Sequence, residues 1–347
     1  MIKQKFIVAM ALTAMMTTTV NARSWRINND VTKKADFTDL NAAMSSTDVM
    51  AGDTLYMDPG CILNSKQTVS KRVTIVGSGY FRNDAPHRLV TISGNLYLTA
   101  QYIKVEGIAI TGTTYLCSDY ITVERCKAGN ISINENWTTA AAQFATIRQC
   151  YATSVHGGSN LSYPNKTSFA TIENCILMSN NGSPIDGLYS PTIRNCYLKY
   201  SGTSTSAVYA PLNGIDNASI TNNIILRNSN PSSVLNSVTN SFISNNVMSC
   251  AETTYSSIGE NRYMESGDES LVFALEGAND ERYQLKADSP AKGYATDGGD
   301  CGPFGGLYPY VLGGMPKGYP YYTKAVIDAR AKDGKVNVSL NIKMQDE

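Results

Sequence analysis

One short frame recurs six times through the middle of this chain, and it limits the fold more than any other feature. The copies are Ile121–Cys126, Ala145–Cys150, Ala170–Cys175, Pro191–Cys196, Ala218–Asn223 and Phe242–Asn246. Each carries a β-branched residue three places before a Cys or Asn: Val123, Ile147, Ile172, Ile193, Ile220 and Ile243. Their separations are 24, 25, 21, 27 and 23 residues. Two places after the Cys or Asn comes a further apolar or small residue: Ala128, Ala152, Leu177, Leu198, Ile225 or Met248. The frame is also met at Val105–Ile110, and in weaker form from Arg72 and from Leu89.

A loose period near 24 is the mark of a solenoid, in which each repeat packs only on its neighbours. The units alternate apolar and polar residues, are rich in Ile, Val and Thr, and are broken by Gly, Asn and Ser, so they are strands joined by turns. The expected fold class is therefore all-β: a single-stranded right-handed parallel β-helix with an N-terminal helical cap and a C-terminal β-hairpin. From Arg72 to Cys250 it makes roughly eight coils, a core about 40 Å long at about 4.8 Å per coil. Unequal spacing is absorbed by loops that bulge outward. A leucine-rich repeat has a similar period, but its first inward position is Leu, where this chain has Ala145, Ala170, Pro191 and Ala218, and no recurrent helical segment follows.

Stacking turns the frame into columns. Cys126, Cys150, Cys175 and Cys196, continued by Asn223 and Asn246, form one structural ladder where a strand ends and the chain turns. There an amide pairs with its neighbour and with turn backbone, and a thiol serves as a small buried group. Eight cysteines in an exported chain usually mean disulfides. Stacked side chains point the same way at about 4.8 Å, which fits a disulfide poorly, so free thiols are expected in the column. Cys61, Cys117, Cys250 and Cys301 lie off it and are left unassigned. No CxxC or HxxxH spacing suggests zinc. Glu124, Arg148, Glu173 and Arg194 share another column and alternate in sign, which reads as a cross-coil ion ladder rather than a catalytic arginine.

The ends divide the chain. Lys3 and Lys5, an apolar run from Phe6 to Met16, and short residues at Val20–Ala22 have the three-part pattern of a secretory leader over residues 1–22. The apolar run is shorter than the ~20 residues of a membrane span. Residues 23–306 are assigned to the helix and its N-terminal cap, with Phe37, Leu40, Ala43 and Met44 at helical spacing, and residues 307–347 to a C-terminal capping segment. In the latter, Lys324–Lys332 and Lys335–Lys343 flank Asp333-Gly334 as a hairpin. The chain balances 29 basic against 29 acidic residues, which argues against nucleic acid as partner and against electrostatic membrane binding. A soluble monomer without membrane insertion is expected.

Gly52–Gly60 resembles the entry motif of pectate-lyase-like β-helix proteins. Asp288–Gly293, Asp297–Gly306 and Tyr310–Pro316 resemble the exit motif of secreted right-handed β-helix proteins of Bacteroidetes, and Val336–Lys343 their tail. The resemblance spans nearly the whole mature chain and implies architecture, since that group mixes polysaccharide lyases, hydrolases and proteins of no known reaction.

No catalytic set stands out in the sequence. A lyase base with a Ca²⁺-held uronate would need acids that the central coils lack. A hydrolase needs paired carboxylates, and Asp186 and Asp216 have no evident acidic neighbour. Ser154–Gly158 is faintly similar to the His-Gly element of polygalacturonases, without the acidic element that should precede it. The expected role of His156 is that of an exposed loop residue. The insertions His156–Thr167, Asn180–Tyr189 and Tyr200–Asn213 should stack as loops along related edges. Their His156, Asn160, Tyr163, Asp186, Tyr189, Tyr200 and Tyr209 make the candidate polysaccharide-binding set. Asp297 and Asp300 sit in a Gly-rich turn, the one place a Ca²⁺ ion is considered, with a plain turn preferred; no other cofactor is expected. The leading reading is a secreted polysaccharide-contacting protein without catalysis. The alternatives are a lyase or hydrolase of this fold and a structural envelope protein.

Overall fold

The computed structural model describes residues 22–81, 89–133, 142–157, 168–229, 233–252, 259–315, 320–327, 334–336 and 338–344. The chain is a right-handed parallel β-helix. One sheet holds ten short strands in chain order, from Ser24–Ile27 through Thr122–Glu124, Thr146–Arg148, Thr171–Glu173 and Thr192–Arg194 to Phe242–Ser244; this is face 1. The rest of each coil belongs to a second sheet that bends midway. Its first stretch, face 2, includes Tyr151–Ala152, Ile176–Ser179, Tyr197–Tyr200 and Ile224–Arg227. Its second stretch, face 3, includes Val155–His156, Ile185–Tyr189, Leu212–Asp216 and Leu235–Thr239. At the bend, the register of Lys127–Ser132 on Ala109–Leu116 shifts between Ala128 and Asn130.

The repeated β-branched residue is the face 1 core. Leu55, Ile75, Val105, Val123, Ile147, Ile172, Ile193, Ile220 and Ile243 pair in one unbroken column, all buried. At about 1.5–3 kcal/mol for each fully buried side chain, register is strongly specified. The column thus reaches one coil above the weaker copy that begins at Arg72, to Leu55.

From Lys104–Glu106, which Gly107 (φ 70°) closes, each face 1 strand onward is bounded by left-handed residues. Before it stand Tyr102, Tyr120, Phe144, Phe169, Ser190, Asn217 and Asn240, with φ from 38° to 60°. After it stand Arg125, Gln149, Asn174, Asn195, Asn222 and Asn245, with φ from 50° to 60°. That conformation costs a residue with a Cβ roughly 1–2 kcal/mol, least for Asn. At the first corner the offset comes from stacking: Tyr102, Tyr120, Phe144 and Phe169 lie ring on ring at 4.9, 5.0 and 5.3 Å. This aromatic column was missed in the sequence, although each of Tyr120, Phe144 and Phe169 directly precedes a copy of the frame.

Cys126, Cys150, Cys175, Cys196, Asn223 and Asn246 follow the second corner, and all eight cysteines are free. Thiol and amide do the same work. Cys150 Sγ donates to Val123 O at 3.4 Å and Cys175 Sγ to Ile147 O at 3.5 Å. Asn223 Nδ2 donates to Ile193 O and Asn246 Nδ2 to Ile220 O, both at 2.9 Å. The amides add an acceptor: Asn223 Oδ1 receives Cys196 N, Asn246 Oδ1 receives Asn223 N, and Asn261, one coil further, receives Asn246 N.

The N-terminal end is capped by a helix, Leu40–Ser45, that starts at Asp39, whose carboxylate accepts from Ala42 N at 2.7 Å. Leu40, Ala43 and Met44 are buried. Phe37 is not on the helix as its spacing suggested; it bridges Ile27 instead. The expected C-terminal hairpin is present: Pro320–Ile327 and Val338–Met344 pair antiparallel, with Ile327 opposite Val338, while Asp333 of the expected turn lies outside the described residues. Among the described residues this sheet pairs with no strand of the helix.

The chain beyond the last coil performs a task the sequence did not announce. Residues 293–315 run back up the second corner as a strap, and the left-handed side chains hold it. Asn245 Nδ2 donates to Tyr294 O (3.1 Å), Asn222 Nδ2 to Thr296 Oγ1 (3.1 Å), Asn174 Nδ2 to Gly305 O (2.7 Å) and Gln149 Nε2 to Pro309 O (2.5 Å). Gly306 (φ 70°) passes so near Asn195 that a Cβ would stand 2.9 Å from its Oδ1. The strap ends against Tyr80, where Tyr80 and Tyr310 share a hydroxyl contact at 2.5 Å and Asp280 accepts from Tyr310 Oη (3.0 Å) and Gly313 N (2.7 Å). Beside it, Phe273, Tyr283 and Tyr310 build a second core on the outside of face 2 over Ile176, Tyr197 and Ile224.

Two outcomes are expected. Asn246→Ala removes the side-chain partners of Ile220 O and Asn223 N, both buried, and costs at least about 2 kcal/mol; Asn246→Cys keeps a donor for Ile220 O and costs less. Equal urea midpoints for the two variants count against the ladder. Burial raises the Asp280 carboxyl above its ordinary 3.8, so its protonated form is favoured in the fold. That contribution is full below the ordinary value and lost as pH rises through the native one. The stability of the wild type relative to Asp280→Asn should therefore fall from about pH 4 towards neutrality, measured by urea unfolding at each pH.

Candidate functional site

Face 3 carries a continuous column of polar side chains that stands outward. In register from coil to coil it reads Tyr97, Tyr115, Ser132, His156, Asp186, Asn213, Asn236. Every member is partly exposed. Tyr97 and Tyr115 stack at 4.6 Å, and Lys66 Nζ lies 4.0 Å over the other face of the Tyr97 pair. Ser132, next in the column, is too small to cover Tyr115. Asn236 Nδ2 donates to Asn213 Oδ1 at 2.6 Å.

The centre of the column is a hydrogen-bonded series. His156 Nδ1 contacts Asp186 Oδ1 at 2.8 Å, and His156 Nε2 contacts Ser154 Oγ at 2.5 Å. Ser154 Oγ also contacts Asn130 Oδ1 at 2.7 Å. Ser154 is 2% exposed; the side chains of His156 and Asp186 are 28% and 29% exposed. Proton accounting allows two arrangements. With an imidazolium, both ring nitrogens donate and Ser154 donates to Asn130 Oδ1. With a neutral ring, Nδ1–H donates to Asp186, Ser154 donates to Nε2, and the Asn130 amide turns its Nδ2 towards Ser154.

His156 and Asp186 were expected on loops. Both are on strands, Tyr151–His156 and Ile185–Tyr189, and are direct cross-coil partners. The two insertions after them also contribute strands, because face 3 requires a third stretch in every coil. Asn160 and Tyr163 lie outside the described residues. Tyr189 is on the same strand as Asp186 and pairs with Asp216. Tyr200 and Tyr209 do not join the site. Tyr200, at 2% exposure, ends a face 2 strand and stacks on Tyr209 at 5.7 Å. Arg227, wholly buried, lies 5.0 Å from the Tyr200 ring and donates to Ser204, Ser206 and Ser233 carbonyls. A long insertion needs its own small core, and these rings are it.

A groove of about 460 Å³ adjoins the site across the bend, lined by Tyr80, Thr91, Thr111, Lys127, Tyr151 and Thr153 among others. Lys127 Nζ lies 4.5 Å over the Phe81 ring. The strap covers part of the ion ladder. Arg148 Nε lies 3.9 Å from Glu124 and 3.5 Å from Glu173, and Tyr308 of the strap covers its guanidinium at 4.1 Å. The corner rings Tyr102 to Phe169 cover one another's faces, which leaves their edges to solvent. Asp297 Oδ1 accepts from Gly299 N and Asp300 Oδ1 from Gly293 N, so each carboxylate closes a turn. Among the described residues no group of three or more His, Cys, Asp or Glu is placed to hold a metal, and no helix is long and apolar enough to cross a membrane.

No protein-family model matches the chain, and no curated protein matches it in sequence. Among solved structures it is similar to the crystal structure of pectate lyase Pel9A, at 14% identity and a TM-score of 0.43, with 80% of this chain and 93% of that chain covered. At that score the likeness carries no argument about the site; the fold stands on the strand register.

Because the His156–Asp186 pair is partly solvated, its removal should cost little. Asp186→Ala and His156→Ala are each expected to lower stability by about 1 kcal/mol or less in urea unfolding, so both variants stay folded.

Proposed function

We propose that this chain is an exported β-helix protein that binds a polysaccharide lengthwise along face 3. The carrying observation is the seven-coil column from Tyr97 to Asn236. At about 4.8 Å per coil it is about 29 Å long, the dimension of a polymer segment rather than of one sugar. Its chemistry suits hydroxyl-rich chains. Asp186, Asn213, Asn236 and Ser132 accept or donate at regular intervals, and Tyr115 offers a ring face. The column is rigid, since each member but Asn236 sits on a strand paired on both sides, so little ordering entropy is spent on binding. Export rests on the leader pattern of residues 1–22.

The test is a thermal-shift screen of the folded chain against neutral and acidic polysaccharides, followed by titration of any hit. At least one polymer is expected to raise the melting temperature. Asn213→Ala should weaken it between about twofold and about tenfold, the worth of one net hydrogen bond. Tyr115→Ala should weaken it at least as much. Leu307→Ala, on an 81% exposed side chain of the strap, should leave affinity unchanged. If no polymer shifts the melting curve, the proposal fails.

A further inference from the structure

His156 spends both ring nitrogens inside the site, one on Asp186 and one on Ser154. The imidazole therefore reaches a ligand only through Ser154 Oγ. A hydroxyl within hydrogen-bond reach of an imidazole, itself oriented by a carboxylate, is the arrangement that activates a serine nucleophile. It is recognised by geometry and roles, not by position in a chain. Asn130 stands on the other side of the same Oγ, its Oδ1 accepting from Ser154 at 2.7 Å; once the serine proton passes to His156, the amide turned about its Cβ–Cγ bond offers Nδ2 to an oxyanion beside the attacked carbon. Glycoside hydrolysis needs two carboxylates facing the bond, whereas this series contains one, turned to the imidazole.

The geometry points to Ser154 as the nucleophile of an acyl-ester hydrolase, with His156 as general base and acid, Asp186 as the positioning residue for the ring and Asn130 as oxyanion donor. The substrate class is an O-acylated polysaccharide; that part rests on the glycan reading above, while the serine chemistry does not. In the first step Oγ bonds to the ester carbonyl carbon and its proton passes to His156 Nε2. The carbon–alkoxy bond then breaks, and the proton moves from Nε2 to the departing sugar oxygen. In the second step water attacks the acyl-serine and gives its proton to Nε2. The carboxylic acid leaves and Ser154 recovers its proton, so that ester and water become acid and alcohol. Ser154 is 2% exposed. The acyl group must enter between Asn130 and His156, which are both partly exposed.

Covalent labelling reads that access directly and needs no glycan. The full chain is treated with a fluorophosphonate probe, mapped by peptide mass, and assayed separately with p-nitrophenyl acetate. Expected are an adduct on Ser154 and ester turnover above background. His156→Ala should lose both, with turnover down by at least about a hundredfold, the usual worth of an acid–base catalyst. Asp186→Asn should lower turnover at saturating ester with little change in KM, as befits a group that orients the ring without touching substrate. No adduct on Ser154 of the folded wild type, under conditions that label a control serine hydrolase, overturns the proposal. So does an adduct that persists undiminished in His156→Ala. An adduct without polysaccharide binding removes the glycan reading and keeps the esterase; binding without an adduct does the reverse.

Discussion

From Lys104–Glu106 onward every coil passes through left-handed backbone on both sides of a three-residue strand, and much of the molecule is arranged around holding those turns. Such turns are disfavoured for residues with a Cβ, and here they fall on Tyr120, Phe144, Arg125 and Gln149 as well as on Asn. Offsetting the cost one coil at a time would leave each coil marginal. The structure offsets it in columns. At one corner the rings stack; at the other, side chains reach out to a strap that crosses the coils. The turns are stable because they are repeated, which is why the units cannot stand alone.

The column of Cys and Asn shows how little chemistry a stacked position needs. A thiol and an amide both bond the carbonyl of the coil above, and the column changes from one to the other between Cys196 and Asn223 without a break. The amide end is the better satisfied of the two, since Asn also accepts from the next backbone N–H. Burial raises the thiols of Cys126, Cys150 and Cys175 well above their ordinary value, which keeps them in the unreactive protonated form.

Accessibility, more than residue type, selects where a ligand can lie. The strap and the second core occupy the corner between faces 1 and 2 and the lower part of face 2. Arg148 and Glu173, which have the residue types of a catalytic pair, are partly covered by Tyr308 and pair with one another in a structural ladder. Face 3 keeps its polar column partly exposed, and the groove with Lys127 opens beside it where the cover ends.

The sequence by itself determined the solenoid, its period, the inward column from Val123 to Ile243 and the thiol–amide ladder. These are properties of a repeat, and stacking maps equal positions onto one another without further information. It also held, unread, the rings preceding the frame at Tyr120, Phe144 and Phe169. What it left open was decided by tertiary structure for one reason: coils differ in length. Ser154 and His156 are neighbours on one strand, but Asp186 lies 30 residues on, at a distance that matches no repeat, and only the bend into face 3 makes it the partner of His156. The same holds for the strap, whose Gly-rich residues read as turns until the fold lays them against Asn174 and Asn195. It holds also for Tyr200, whose residue type suggested a sugar platform before Arg227 and Tyr209 buried it.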